Sequence, residues 1–152
     1  MVCLGNICRS PIAEGILQEK CRSIGFDWLV DSAGTNGYHK GEPPHYLSQH
    51  VSKVNGVDIS HQRSRPFKAD DFEKFDLIIP MAGDVLQEMK YIARDKYDAD
   101  KVTLLLEYSY PGTNMDVPDP WGRSEAAFHE VYDLIEEACE AMIKQLTSTK
   151  QP

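Results

Sequence analysis

Cys3-Leu4-Gly5-Asn6-Ile7-Cys8-Arg9-Ser10-Pro11 is the stretch on which the fold turns, because it joins the first apolar residues to the first helical pattern. Ser10 and Pro11 read as an N-cap followed by proline at the first helical position, with Ile12, Ile16 and Leu17 periodic behind them. A strand ending at Cys3 and a helix opening at Ser10 form the start of a βα unit. The helix is expected to stop near Gly25.

The same alternation continues along the chain. Trp28-Leu29-Val30 predicts a second strand, and Gly34, Gly37, Gly41 and the Pro43-Pro44 pair mark a loop from Ser32 to Pro44. A helix is expected from about Tyr46 towards Asn55-Gly56, where the glycine suits a C-cap. Phe75 to Pro80 predicts a third strand, followed by a helix through Val85, Leu86 and Met89. Lys101 to Leu106 predicts a fourth strand, and Tyr110 to Gly122 a proline-rich loop. Phe128, Val131, Leu134, Ile135, Ala138, Met142, Ile143 and Leu146 form the apolar stripe of a last helix, and Ser148 to Pro152 are expected to fray. Short apolar runs alternating with helical patterns predict an α/β fold. The form expected is a three-layer, open, doubly wound sheet of four parallel strands in the order 2-1-3-4, with helices on both faces. Only Met1 and Val2 precede Cys3, so the first strand is unusually short for a central one.

The 152 residues, 41% hydrophobic and 26% charged, suit one globular domain over 1–152 and exclude a disordered tail, a collagen-like rod and a coiled coil. A net charge of -8 repels nucleic acid and anionic membranes, so neither is an expected partner and any anion handled here needs a local site. Runs such as Leu77-Ile78-Ile79 fall far short of a membrane span, and no signal-peptide pattern opens the chain. The four cysteines fit neither a zinc motif nor a secreted disulfide framework, which suits a reducing compartment, and a cytoplasmic monomer is expected. The five histidines show no ligand spacing with the cysteines, so neither metal nor other cofactor is expected.

In open α/β sheets ligands sit at the carboxyl ends of the strands, where Cys3 and its loop lie. Five residues, Leu4 to Cys8, separate Cys3 from Arg9, enough to curl so that successive backbone N–H groups point inward. Such a nest at a helix N-terminus binds a tetrahedral oxyanion. Gly5 and Asn6 tolerate the left-handed backbone that the curl requires. Arg9 can fork onto two phosphoryl oxygens, and the same dipoles favour a thiolate at Cys3, to which Ser10 can donate its hydroxyl hydrogen. Taken alone, the motif equally suits a buried cysteine ahead of a capped helix. Asp119, between Pro118 and Pro120, lies on the loop after the fourth strand at the same sheet edge, where Trp121 can wall off water. It could protonate a leaving oxygen, although Pro-Asp-Pro alone reads more simply as a turn.

Together, these segments resemble the low-molecular-weight protein tyrosine phosphatases. The resemblance extends through Asp31-Ser32-Ala33-Gly34-Thr35, Gly41-Glu42-Pro43-Pro44, Arg63-Ser64-Arg65 and Asp71-Phe72 to Phe75-Asp76, nearly the whole chain in order. It implies metal-free hydrolysis of phosphotyrosine in proteins. Cys3 is then the nucleophile, Arg9 and the amides of Leu4 to Ser10 hold the phosphoryl oxygens, and Asp119 is first acid, then base. It further implies that Asn6 shapes the loop through Ser10 and Ser32, with the family histidine falling on His61, or on Gln62 if aligned from Arg63-Ser64-Arg65. Ile7 and Tyr38 would line a slot for the phenyl ring, with Trp121 opposite; for Tyr38 and Trp121 ordinary surface aromatics remain the other reading. Cys8 could trap oxidised Cys3 as a disulfide or be a small core residue, and the resemblance favours the redox role.

Besides its short first strand, the chain departs from the family in two places. Asp119-Pro120-Trp121-Gly122 stands where many members have two tyrosines after the proline. Met81-Ala82 stands where Met-Asp is frequent, which is expected to adjust the hydrogen bonding of the site. Arsenate reductases share the loop but need two more cysteines after the third strand, and none lies between Cys21 and Cys139. Arginine phosphatases of this fold carry threonine where Ile7 stands, and they form the second reading. A phosphate-binding or thiol redox module without turnover is the third. Cys21 and Cys139 are expected to be structural, and Asp70, Asp71 and Glu73 a solvated helix start.

Overall fold

The computed structural model describes residues 1–148. Its helices are α1 (Arg9–Ser23), α2 (Tyr46–Val54), the single turn α3 (Asp71–Lys74), α4 (Gly83–Ala93) and α5 (Glu125–Ser148). Two short strands, β1 (Val2–Cys3) and β2 (Ala33–Gly34), pair in parallel with Val2 opposite Ala33. Single parallel bridges continue outward from them: Val2 to Pro80 beside β1, Gly34 to Pro66 beside β2, and Ile78 to Val102 beyond. Short 3-10 turns occupy Arg94–Lys96, Ala99–Lys101 and Leu105–Glu107.

The α/β class is as expected, but the described strands are shorter and fewer than the four predicted. The second strand begins three residues after Val30 instead of at Trp28-Leu29-Val30, because a side chain of α1 occupies that segment's backbone. Gln18 donates to Trp28 O (3.1 Å) and accepts from Val30 N (3.3 Å). The 75–80 and 101–106 segments contribute bridges only, and Leu105 and Leu106 turn into a 3-10 helix instead of extending a strand. The expected fraying falls on residues 149–152, outside the described residues, and on Ser148, which is still helical.

α1 opens at Arg9 with Cys8 as its N-cap, ahead of the expected Ser10 cap, because the Ser10 hydroxyl bonds elsewhere. Gly25 and Gly56 follow α1 and α2 with φ of 80° and 81°, the left-handed exits their sequence anticipated. α5 buries Phe128, Val131, Ile135, Ala138 and Met142, together with Tyr132 and Cys139, and packs on α1 and α2. Cys21 and Cys139 are fully buried on α1 and α5, consistent with structural roles. A second apolar cluster of Val2, Phe67, Phe72, Ile78, Val85 and Met89 fills the other side of the β1–β2 pair. The helices thus cover both sides of the strands and leave the carboxyl end of β1 open, where the Cys3 loop begins.

Asp71 corrects the expectation of a solvated helix start. It is 4% exposed, and its Oδ2 accepts from Arg65 Nη1 (3.1 Å) and from Lys68 N (2.9 Å). Arg65 also holds Asp31 at 3.0 Å, so this one guanidinium ties the segment before β2 to α3.

Candidate active site

The loop from Cys3 to Ser10 is held from outside by its carbonyl oxygens. Thr35 N donates to Cys3 O (3.0 Å), Asn36 N to Leu4 O (3.0 Å), Ser64 Oγ to Gly5 O (3.1 Å), His45 N to Ile7 O (2.8 Å) and Ser48 Oγ to Cys8 O (3.2 Å). In a planar trans peptide the carbonyl and the following N–H point opposite ways. Oxygens bonded outward therefore turn the N–H groups towards the concave side, where the N-terminus of α1 adds its positive end. Asn6 takes the left-handed conformation, φ 57°, and Gly5 does not. Gly5 matters for space: a Cβ there would lie 3.1 Å from His39 Cδ2.

Asn6 organises the underside of the loop. Its Nδ2 donates to Ser10 Oγ (2.8 Å) and Ser32 Oγ (2.9 Å), and its Oδ1 accepts from Arg65 N (3.0 Å). Ser32 in turn donates to Glu14 Oε1 (2.8 Å). Because Ser10 Oγ already accepts from Asn6, its own hydrogen is free for Cys3 Sγ, 2.9 Å away. This network closes on Glu14, not on a histidine. The turn from Ile59 to Gln62, closed by Gln62 N to Ile59 O (3.1 Å), leaves His61 at its exposed tip. Gln62 is the buried member, with Nε2 donating to Pro11 O (3.0 Å).

Arg9 is 5% exposed and joins two loops. Its Nη1 donates to Val117 O (3.0 Å), and its Nη2 lies 3.8 Å from Asp119 Oδ2. Asp119, with its side chain 48% exposed, also accepts from Trp121 N through Oδ1 (3.1 Å). Cys3, Leu4, Gly5, Ile7, Cys8, Arg9, Tyr38, Asp119 and Trp121 therefore share one cleft of about 260 Å³. Asn6, Ser10 and Ser32 lie buried beneath it. Tyr38 and Trp121 stand at its mouth, 86% and 62% exposed, so Trp121 shields Asp119 less than expected. Burial, then the neighbouring Cys3, pushes the Cys8 thiol up to about 12, which keeps it protonated.

Three participants escaped the sequence. Asn36 and His39 line the cleft, His39 held by Glu42 at 2.6 Å from its Nδ1; neighbourhood to Tyr38 was the one available signal. Gly34 lies under the loop, where a Cβ would meet Leu4 O at 2.8 Å and Gly5 C at 2.9 Å. A larger cavity, about 630 Å³, opens at the far end of β1 among residues such as Met1, Trp28, Leu77 and Ile79. It contains neither the cysteine nor the arginine of the loop, so chemistry, not size, selects the smaller cleft. Among the described residues no group of three or more His, Cys, Asp or Glu side chains is arranged for a metal ion, and no helix is long and apolar enough to cross a membrane.

Comparison with known proteins places the chain in one family. The family model described as "Low molecular weight phosphotyrosine protein phosphatase" matches residues 1–152. The chain is 34% identical over 152 residues to the low molecular weight protein-tyrosine-phosphatase YfkJ of Bacillus subtilis, covering 99% of this chain and 96% of that protein. The YfkJ crystal structure superimposes with a TM-score of 0.89 at 33% identity, covering 99% of this chain and 94% of that one. The human low molecular weight phosphotyrosine protein phosphatase is 35% identical over 147 residues, 95% of this chain and 92% of that protein. A Drosophila arginine phosphatase structure is also similar, with a TM-score of 0.86 and 31% identity over 95% of this chain and 94% of that one.

Proposed function

From the premise that this chain belongs to the low molecular weight phosphotyrosine protein phosphatase family, we propose that it hydrolyses phosphotyrosine in proteins through a phosphocysteine intermediate. Cys3 attacks phosphorus in line: the S–P bond forms as the P–O bond to the phenol breaks. The bonding pair leaves on the phenolate oxygen, which takes a proton from Asp119. Water then attacks phosphorus and gives a proton to Asp119, and the S–P electron pair returns to Cys3 as thiolate. Arg9 and the loop amides of Leu4 to Ser10 hold the equatorial oxygens through both steps. The observation that carries this reading is Arg9 itself, buried under the cleft and reaching Asp119 at 3.8 Å and Val117 O at 3.0 Å from the loop that Cys3 begins. It supports a reading in which nucleophile, anion site and acid share one small volume.

Ile7, Tyr38 and Trp121 form the walls for the phenyl ring, and Cys8 is the thiol that traps oxidised Cys3. The unit is a single phosphatase domain over residues 1–152, a cytoplasmic monomer without cofactor. Its sheet completes the order 2-1-3-4 through the 75–80 and 101–106 segments, in line with the bridges at Pro80 and Val102.

The test is phosphate release from a phosphotyrosine peptide beside a phosphoarginine peptide, in EDTA with reductant. Release from phosphotyrosine alone is expected, and Asp119→Asn should slow it by about 10²–10⁴. Preference for phosphoarginine would install the rival activity for which the similar fly protein is named. Phosphate binding without release from either peptide would leave a binding or redox module.

A further inference from the structure

α4 begins without a side-chain bond from its N-cap residue, although Asp84 Oδ1 within the first turn accepts from Val85 N (2.8 Å). Its N-cap residue is Ala82, extended at φ -155° and ψ 162°, the conformation in which serine, threonine or aspartate ordinarily turns a side-chain oxygen onto the first N–H groups. Alanine has no such oxygen. The missing acceptor comes from a different loop: Asp116 Oδ1 accepts from Gly83 N at 2.8 Å. Three residues later on that loop stands Asp119.

The bond belongs to a set that fixes one short stretch of chain. Val117 N donates to Met81 O (2.8 Å), and Val117 O accepts from Arg9 Nη1 (3.0 Å). The Val117 side chain is fully buried. From Val117 only Pro118, with its φ fixed by the ring, leads to Asp119, and Pro120 stiffens the far side. Upstream the chain is exposed at Asn114 and Met115, where Asn114 adopts a positive φ of 51°, and it is held separately by Glu107, whose carboxylate accepts from Gly112 N (2.8 Å) and Asn114 N (2.6 Å). Asp116 therefore sits between the turn that Glu107 holds and the buried Val117, and its bond to Gly83 N is the tie that joins that junction to α4.

We infer that Asp116 is a positioning residue for Asp119. By docking on the N-terminus of α4 it fixes the direction in which the loop enters Val117, and so the distance of the Asp119 carboxyl from the leaving oxygen. This rests on the acid role given to Asp119 above. Asp116 transfers no proton itself.

Four variants separate positioning from stability and from acid chemistry. They are assayed on phenyl phosphate, whose leaving group needs a proton, and on p-nitrophenyl phosphate, whose leaving group scarcely does. Asp116→Ala should lower kcat on phenyl phosphate by about 10- to 100-fold, the scale of an ångström-sized misplacement, with a smaller fall on p-nitrophenyl phosphate. Asp116→Asn keeps the acceptor for Gly83 N and should retain nearly the wild-type kcat on both. Adding Ala82→Ser to Asp116→Ala gives α4 a local cap and should return the lost Tm without returning kcat. Asp119→Asn is the reference for a missing acid. The inference is overturned if Asp116→Ala leaves phenyl phosphate turnover unchanged, if Ala82→Ser restores kcat along with Tm, or if Asp116→Asn is as damaged as Asp116→Ala. A steep leaving-group dependence in Asp119→Asn beside a flat one in Asp116→Ala overturns this inference alone. A flat dependence in Asp119→Asn overturns the acid assignment with it.

Discussion

Removing the Ser10 hydroxyl isolates one bond at the nucleophile. Ser10 is fully buried, and its Oγ lies 2.9 Å from Cys3 Sγ while accepting from Asn6 Nδ2 at 2.8 Å. A thiolate at Cys3 can only accept, so in that state the hydroxyl hydrogen points at sulfur. Sulfur carries most charge when it leaves phosphorus as thiolate, so the bond is strongest in the breakdown of the phosphocysteine. A hydrogen bond to a charged group contributes about 1.5–3 kcal/mol, and each 1.4 kcal/mol is roughly tenfold, giving a slowing of about 10- to 150-fold in Ser10→Ala. The fold should survive, because Asn6 keeps Ser32 and Arg65 as partners and one lost neutral bond costs about 1 kcal/mol. Rapid mixing with p-nitrophenyl phosphate reads the result directly. A burst approaching one nitrophenol per enzyme is expected, with kcat and KM falling together and kcat/KM changing much less. No burst, with kcat/KM falling as far as kcat, would refute the reasoning by placing Ser10 in the attack and not in the departure.

Cys3→Ser should abolish turnover while titration with inorganic phosphate still shows binding; hydrolysis near the wild-type rate would remove Cys3 from the chemistry. Gly34→Ala drives a methyl to within 2.8 Å of Leu4 O, where backbone must move. A loss of about 1–3 kcal/mol is expected in denaturant unfolding, with kcat falling as the loop shifts. Burial pushes the Glu14 carboxyl above its usual range, opposed by the bond from Ser32; Asp31 adds to the rise, and the Met1 amine and His61 oppose it. An acid whose folded value is raised favours folding below its unfolded value and loses that contribution as pH rises through the folded one. Glu14→Gln keeps an acceptor for Ser32 without the charge, so its Tm should exceed wild type near neutral pH and match it in acid. An equal gain at both pH values would show that charge is not the cause.

The loop around Cys3 was legible because its requirements are local. A cysteine at a strand end, a residue that accepts positive φ and an arginine at a helix start lie within eight positions, and Asn6 takes that φ as anticipated. The partners of the loop were less legible because they are distant in sequence. Nothing near Trp28-Leu29-Val30 announces that Gln18 will occupy its backbone. Aspartate at 71 carries the same composition signal as its exposed neighbour Asp70, and only the folded position of Arg65 makes one of them buried. The choice between His61 and Gln62 needed the turn closed onto Ile59, which places one outward and the other inward. Nothing beside Asp116 in the sequence marks it either, because its meaning depends on an alanine 34 positions earlier.

The loop's reliance on outside partners also has a kinetic consequence. Asn6 meets Ser32 across 26 residues and Arg65 across 59, and Gly5 meets Ser64 across 59. Contacts of such separation form after the local ones, because chain closure must come before they are rewarded. During refolding the helices and their ellipticity should return first, while the anion site assembles only when three remote segments have docked together. Regained turnover is thus a clock for the last event of folding, and a chain can look native by circular dichroism before it can hold a phosphate.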